Sequence, residues 1–184
     1  IMDHLEAIVE IKNVISTEFI DKIIPLINHK SKKNLTVGDG SKVYKDIRNV
    51  KGYHLTFNTP TDLFYWNYVK NQIEKVYYFY KAKFPKMTSS KINQIDLLKY
   101  SPGGKYEIHT DHYTTAVRHL SVIINLNNDY EGGDLVFTDQ KEKEIKRLKL
   151  EKGSIVFFPS SFMYPHGIQP ITKGTRYSIV AWLQ

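Results

Sequence analysis

The sequence predicts an α+β protein with a mainly β core, in which an antiparallel double sheet of the jelly-roll or barrel type packs against N-terminal helices. Two stretches in the first half carry the apolar i, i+3, i+4 spacing of helices. The second half consists of short segments rich in β-branched and aromatic residues, separated by Gly, Pro, Asn or Asp. The length of 184 residues fits one domain. We therefore expect residues 1–184 to form a single domain.

The first half is expected to begin with a strand and a helix. Residues 7–14 alternate between the two faces in the manner of a strand. Ser16 is a candidate N-cap for a helix that runs towards His29. Pro25 lies inside this helix and is expected to kink it or divide it into two short pieces.

A polar region and a second helix complete the first half. Residues 30–60 are rich in Gly, Asn and Thr, which predicts loops with a short strand. A helix is expected over residues 60–84, with Thr61 or Asp62 as its N-cap. Its apolar and aromatic stripe is typical of core packing. We assign residues 1–91 to a supporting region of helices and strands.

The second half, residues 92–184, is expected to form the β core. A further strand should end near Tyr106. Glycine-containing turns separate the strands. The other predicted strands are 92–100, 119–127, 134–138, 145–150, 154–158 and 176–183.

Composition limits the chemistry that is available. The chain has no cysteine, so disulfides and thiolate sites are excluded, and any metal must be held by nitrogen and oxygen donors. The 26 Lys and Arg residues outnumber the 19 Asp and Glu residues, which gives a net charge of +7. Because the lysines are scattered, a solvated surface is the favoured interpretation, and a phosphate-rich or acidic partner stays open.

The sequence gives no sign of a membrane segment. No apolar run approaches the ~20 residues of a membrane span. The first residues also lack a basic stretch followed by an apolar one, which is the pattern of a secretory signal. We therefore expect a soluble, intracellular protein of the cytoplasm, without a membrane partner.

A candidate metal site lies in the second half. In extended backbone His109 and Asp111 point to the same face, so both can offer a ligand to one ion. His166 follows the strand at 154–158 and is a candidate third ligand. Two histidines and one carboxylate leave three positions open, which suits non-haem Fe(II) with a cosubstrate and O2. A chance His-x-Asp pair is the alternative. His112 and His119 lie off the shared face, so we expect them either behind the metal ligands or on the surface.

The last predicted strand carries a second group of candidates. Alternation places Arg176, Ser178, Val180 and Trp182 on one face. If that face lines a pocket, its guanidinium can bind one end of a planar dicarboxylate through two hydrogen bonds. The alternative is a strand whose Arg and Ser face solvent.

An ordered set of motifs runs through the second half: Tyr100-x-x-Gly103, Tyr106-x-x-His109-x-Asp111, Glu131-Gly132-Gly133-x-Leu135-x-Phe137, Gly153-Ser154-x-x-x-Phe158-Pro159, His166 and Arg176-x-Ser178. In this order the motifs resemble those of the Fe(II)/2-oxoglutarate dioxygenases, and most closely the prolyl 4-hydroxylase branch. The resemblance covers about residues 92–184 and implies the double-stranded β-helix form of the jelly roll.

The resemblance implies a role for each matching residue. His109, Asp111 and His166 would bind Fe(II). Arg176 would pair with the distal carboxylate of 2-oxoglutarate, with Tyr100 and Ser178 as further contacts.

Four further positions match the family, with roles that are less uniform among its members. Asn125 stands where some relatives place a tyrosine on the cosubstrate, and its amide could still donate a hydrogen bond. Arg118 matches an arginine at the substrate entrance of prolyl hydroxylases. Tyr106 and Trp182 match aromatic positions of the same site, with ordinary barrel packing as the alternative.

The implied activity is hydroxylation of a C–H bond, with a prolyl residue of a peptide or protein as the expected substrate. Fe(II) is the implied cofactor, 2-oxoglutarate and O2 are the cosubstrates, and ascorbate is a candidate reductant. Substrate loops are expected at 38–58, 112–118 and 159–165.

Two other functions stay open. The same chemistry on a nucleobase is favoured mildly by the basic charge. Against it, the nucleic-acid demethylases of this fold carry a second arginine six residues after the first, where this chain has Trp182. A non-catalytic peptide-binding module is the third interpretation.

Overall fold

The computed structural model describes residues 3–37, 42–89 and 91–184, so residues 38–41 of the first expected substrate loop lie outside the described residues. The helical elements are a 3-10 turn at His4–Ala7, α1 at Thr17–Lys30 and α2 at Pro60–Lys83. Within these described ranges, no helix is long and apolar enough to cross a membrane.

The N-terminal cap of α1 is the one that the sequence predicts. The Ser16 side chain accepts a hydrogen bond from the backbone N–H of Phe19 at 3.2 Å. The helix is not divided at Pro25 and continues to Lys30. Pro25 is exposed, so the carbonyl that loses its helical partner there lies on the solvent side of the helix.

The N-cap of α2 is Thr59, so the prediction of Thr61 or Asp62 is wrong. Thr59 accepts a hydrogen bond from the backbone N–H of Asp62 at 3.1 Å, and Pro60 occupies the first helical position, where a missing N–H costs nothing. The Asp62 side chain is instead fully buried and accepts a hydrogen bond from the hydroxyl of Tyr53 at 2.7 Å.

Fourteen strands occur in the described part of the chain, and their ladders are antiparallel. The large sheet has the order β1-β11-β7-β14-β5-β4-β2, the second sheet β10-β9-β12-β6-β3, and β13 pairs with β8. The strands are β1 Val9–Ile11, β2 Lys33–Asn34, β3 Arg48–Asn49, β4 Lys51–His54, β5 Ile92–Tyr100, β6 Lys105–His109, β7 Leu120–Asn125, β8 Tyr130–Gly132, β9 Leu135–Thr138, β10 Glu144–Leu148, β11 Ile155–Pro159, β12 His166–Ile168, β13 Ile171–Gly174 and β14 Arg176–Leu183.

Six of the predicted strands of the second half are confirmed within one or two residues at each end, and 92–100 and 176–183 match in full. The strand predicted to end near Tyr106 instead begins at Lys105 and ends at His109. The strand predicted over 7–14 is shorter, because residues before it form the 3-10 turn, capped by Asp3. In the described part of residues 30–60 there are three short strands rather than one.

The two faces of β14 separate two cores. Ile179, Ala181 and Leu183 pack with the helices on one side of the large sheet. Val180 and Trp182 pack between the two sheets, with side chains from β5, β9 and β11. The architecture is therefore a double-stranded β-helix with its helices on the outer face of the large sheet, and the alternation of β14 assigns Arg176 and Ser178 to the interior between the sheets.

Gly132, at the end of β8, must stay a glycine for two separable reasons. Its φ of +77° is in the left-handed region, and a Cβ there would overlap the carbonyl oxygen of Pro170. Gly103 has a similar φ of +80° with open space around the Cβ position. We expect Gly103→Ala to lower the free energy of unfolding by about 1–2 kcal/mol, and Gly132→Ala by about 1–3 kcal/mol more. Urea unfolding of both variants measures the difference, and equal losses would contradict the overlap.

Candidate metal centre and adjoining pocket

The pairing of β6 with β12 sets two histidines side by side. His166 lies directly opposite His109 in the antiparallel register, and their ring centroids are 4.4 Å apart. Asp111 follows two residues after His109 and turns its carboxylate to the same side, as the spacing predicts. One ligand atom from each of these three residues lies within 4.8 Å of the other two. The structure thus brings together the three residues that the sequence singles out.

Hydrogen bonds fix which nitrogen of each imidazole faces the carboxylate. His109 Nδ1 lies 2.8 Å from the backbone carbonyl of Glu107, and His166 Nδ1 lies 3.0 Å from that of Tyr164. A carbonyl only accepts, so each Nδ1 is the protonated nitrogen and each Nε2 of the neutral ring keeps its lone pair. These two Nε2 atoms lie 3.3 and 3.5 Å from the oxygens of Asp111.

The charge balance of this cluster favours a cation. Burial lowers the pKa of His166 to about 4, so its ring is neutral at physiological pH. The two histidines and the hydroxyl of Ser121 hold the pKa of Asp111 well below its usual range, despite its burial. Two lone pairs and a carboxylate therefore point at one position, and a divalent cation that takes nitrogen and oxygen ligands, such as Fe(II), fits this donor set.

Two serines orient the carboxylate of Asp111. Ser121 Oγ donates to Asp111 Oδ2 at 2.6 Å, and Ser160 Oγ lies 2.7 Å from Ser121 Oγ. Both hydroxyls are buried. Hydrogen bonds of this kind hold a metal-binding carboxylate in one orientation.

We expect Ser121→Ala to weaken Fe(II) binding by about tenfold, because Asp111 loses its fixed orientation while the three ligand atoms stay in place. Anaerobic calorimetric titration with Fe(II) measures the dissociation constant. Ser101→Ala, at an exposed turn, is the matched control. An unchanged constant in Ser121→Ala would show that the hydroxyl does not tune the site.

A cavity adjoins the cluster and holds the predicted face of β14. Four polar atoms of residues in its wall have no hydrogen-bond partner among the described residues, namely Arg48 Nε, Arg176 Nη2, Ser178 Oγ and Trp182 Nε1. Arg176 itself is 1% exposed. Buried donors without partners are costly, so this cavity suits a polar, anionic ligand of small size. Its wall also contains Leu98, Tyr100, Tyr106, Ile123, Ile168 and Val180.

Asn125 lies behind Arg176, outside the cavity wall. Its amide nitrogen donates to the carbonyls of Asn127 at 2.7 Å and Leu150 at 3.1 Å, which uses both N–H groups. Its Oδ1 accepts from Arg176 Nε and from the hydroxyl of Tyr130, both at 3.3 Å. The amide is therefore oriented to hold the guanidinium, and Tyr130 is a contributor that the sequence does not reveal.

A second, open groove meets this cavity, since Arg48, Tyr106, Asp111 and Trp182 line both. Arg118 lies in the groove wall with its guanidinium 3.7 Å from the ring centroid of Trp182, and its role at a substrate entrance stays a prediction.

Arg48 was missed by the sequence reasoning. It lies in the two-residue strand β3 and packs 4.6 Å from the ring centroid of Tyr106. Tyr106 in turn stacks on His109 at 3.6 Å. A two-residue strand in a polar region has no periodicity to find, so the sequence held no signal for this residue.

Comparison with known proteins agrees with this geometry. Residues 95–184 match the profile of the 2OG-Fe(II) oxygenase superfamily. Residues 95–184 are therefore similar to a 2OG-Fe(II) oxygenase domain, and this similarity implies Fe(II) as cofactor with 2-oxoglutarate and O2 as cosubstrates. The matched residues include the three residues of the cluster and Arg176.

Curated relatives of this chain are described as PKHD-type hydroxylases. One from Gloeothece citriformis is 30% identical over 157 residues, which are 82% of this chain and 64% of the relative. One from a Synechococcus species is 28% identical over 120 residues, 61% of this chain and 50% of the relative. The chain thus spans about half to two thirds of the length of these relatives.

A solved structure shares the fold. The prolyl hydroxylase from Trichoplax adhaerens, in complex with a peptide fragment of the oxygen degradation domain of hypoxia inducible factor, aligns with a TM-score of 0.80. The sequences are 18% identical, and the alignment covers 98% of this chain and 85% of the other. This likeness confirms the predicted double-stranded β-helix.

Proposed function

We propose that this protein is an Fe(II)- and 2-oxoglutarate-dependent hydroxylase that acts on a C–H bond of a residue in a peptide or protein, with proline as the residue. The observation that carries the proposal is that the candidate metal site lies directly beside a cavity suited to an anionic ligand. Two imidazole lone pairs and a carboxylate converge beside a cavity whose wall residues hold four polar atoms without a partner among the described residues.

Each group of residues has a task in this proposal. His109, Asp111 and His166 hold Fe(II) and leave its other positions open. Arg176 binds the distal carboxylate of 2-oxoglutarate with Ser178 beside it, and Asn125 keeps the guanidinium in place. Bound Fe(II) with 2-oxoglutarate and O2 supplies the oxidising chemistry of the family.

The surroundings of these groups protect the reaction. Tyr100 and Trp182 are nearly fully buried, and with the aliphatic wall they exclude water from the cavity. Tyr106 stacks on His109 and fixes the plane of that ring. Since Tyr106 also lines the open groove, it stands between the metal ligands and the path of a substrate.

The open groove supports a peptide as the substrate. It is polar, it reaches Asp111 of the cluster, and Arg118 lies in its wall. The names of the relatives, PKHD-type hydroxylases and a prolyl hydroxylase bound to a peptide, favour proline within that class. We also propose that residues 1–184 act as one domain, because β1 to β4 of the first half are strands of the same sheets as the second half.

Mass spectrometry tests the proposal. The protein is incubated with Fe(II), 2-oxoglutarate, ascorbate and a set of proline-containing peptides in air. The expected result is succinate together with a peptide that has gained one oxygen on proline. Oxygen gain on a residue other than proline would assign a different target residue. Demethylation of an oligonucleotide in a parallel reaction would favour a nucleobase as the substrate. Peptide binding without consumption of 2-oxoglutarate would indicate a binding module.

A further inference from the structure

A run of hydrogen bonds fixes four side chains in the wall of the open groove. Gln94 connects Arg118 to Asp96. Its Oε1 accepts a hydrogen bond from Arg118 Nη2 at 3.1 Å, and its Nε2 donates one to Asp96 Oδ1 at 2.9 Å. The same Asp96 Oδ1 lies 2.6 Å from His54 Nδ1, and Gln94 Nε2 lies 3.2 Å from that nitrogen. The positions of His54 and Arg118 are thus linked through one amide and one carboxylate.

The Asp96 carboxylate determines how His54 presents its ring. Asp96 is 1% exposed and only accepts hydrogen bonds when ionised, so His54 Nδ1 is the donor and Nε2 is left for another partner. The side chain of His54 is 58% exposed. Asp96 raises the pKa of His54, against the opposing effects of burial and of Arg48 and Arg118. The ring is therefore a cation over a wider pH range than a free histidine.

The exposed charge of this wall is positive. Its two acids, Asp96 and Asp111, are buried, and both have hydrogen-bond donors inside the protein. The cationic groups His54, Arg48 and Arg118 are the ones that a ligand in the groove can reach. Arg118 donates three hydrogen bonds to protein groups, fewer than the five that a guanidinium can make.

We infer that this groove binds the carboxylate of an acidic residue that flanks the target residue of a peptide substrate, with His54 and Arg118 as its partners. The inference rests on the proposed function and names the class of peptide. His54 is then a specificity-determining residue. Asp96 and Gln94 are positioning residues, because they keep His54 Nε2 and the guanidinium of Arg118 available to one ligand. Charge-assisted hydrogen bonds from two cations to one carboxylate discriminate against the neutral amide of the same shape.

Peptide binding tests this inference without requiring turnover. Fluorescent proline-containing peptides carry a single Glu, or Gln at the same place, at each position around the proline. Their anisotropy is measured with the full chain loaded with Mn(II) and 2-oxoglutarate at about pH 6, where histidine is largely protonated. We expect one Glu position to bind about tenfold more tightly than its Gln counterpart. The Glu preference should fall as the pH rises through the raised pKa of His54.

Variants at position 54 identify the responsible group. In His54→Gln the Glu-to-Gln ratio should fall towards one, and in His54→Lys it should persist and lose its pH dependence. His29→Gln, at an exposed position on α1, should keep the full preference. Equal binding of every Glu and Gln pair, or a preference that survives in His54→Gln, would overturn the inference. Selective binding without oxygen gain would instead uphold this site and count against the proposed hydroxylase.

Discussion

Replacing Asp111 with asparagine is expected to abolish specific Fe(II) binding and to reduce turnover by at least about 1000-fold. The carboxylate is the anionic member of the cluster, and Ser121 Oγ donates to it. In the asparagine variant an amide nitrogen or a neutral oxygen replaces a charged ligand, and the two imidazoles alone do not retain a hard divalent ion. Metal stoichiometry after gel filtration and the rate of succinate release measure the two effects.

The neighbouring residue provides the control for this experiment. His112 is one residue away, is exposed, and pairs through Nδ1 with the backbone carbonyl of Arg118 at 2.9 Å. His112→Gln should bind Fe(II) with the wild-type stoichiometry. Full turnover in Asp111→Asn, with His112→Gln also active, would show that the iron is held elsewhere.

Replacing Arg176 with glutamine is expected to raise the dissociation constant of 2-oxoglutarate by at least about 100-fold. The arginine is buried, its Nη2 has no partner among the described residues, and it is one of two arginines in the wall of the cavity beside the metal cluster. Removing one member of a buried charged pair costs about 2–5 kcal/mol. Calorimetric titration of the Mn(II)-loaded protein with 2-oxoglutarate gives the constant directly.

A variant of a surface arginine is the control that distinguishes the loss of a ligand contact from a general effect of the lost positive charge. Arg147 is exposed and pairs with Glu144 at 2.6 Å and Asp134 at 3.1 Å. Arg147→Gln should leave the constant for 2-oxoglutarate unchanged. Similar weakening in both variants would point to long-range electrostatics, and tight binding in Arg176→Gln would assign the distal carboxylate to another group.

The strands of the second half and the main site residues could be predicted because both depend on local patterns. The alternation along β14 places Arg176 and Ser178 on one face, and the i, i+2 spacing places His109 with Asp111. These are properties of the backbone and do not depend on the partners of each strand. The N-cap of α2 was predicted wrongly as Thr61 or Asp62, although proline favours the first helical position and Pro60 therefore points to Thr59.

The groove wall could not be predicted in the same way. Arg48 and His54 belong to short strands in a polar region, where hydrophobic periodicity is absent. Their position is determined by which strands they pair with, as β4 pairs with β5 and sets His54 opposite Asp96. Long-range pairing of this kind is not encoded in a local window, so substrate contacts are harder to foresee than metal ligands.

The direct pairing of His166 with His109 makes the metal centre dependent on strand register. Strand β12 has only three residues and meets β6 with an irregularity after His166. A slip by one residue would turn the imidazole to the opposite face and dismantle the centre at once. A bound cation stabilises only the native register, in proportion to its affinity. Iron would then serve as a cross-link between two strands, and apo protein should exchange the amide hydrogens of β12 faster than metal-loaded protein.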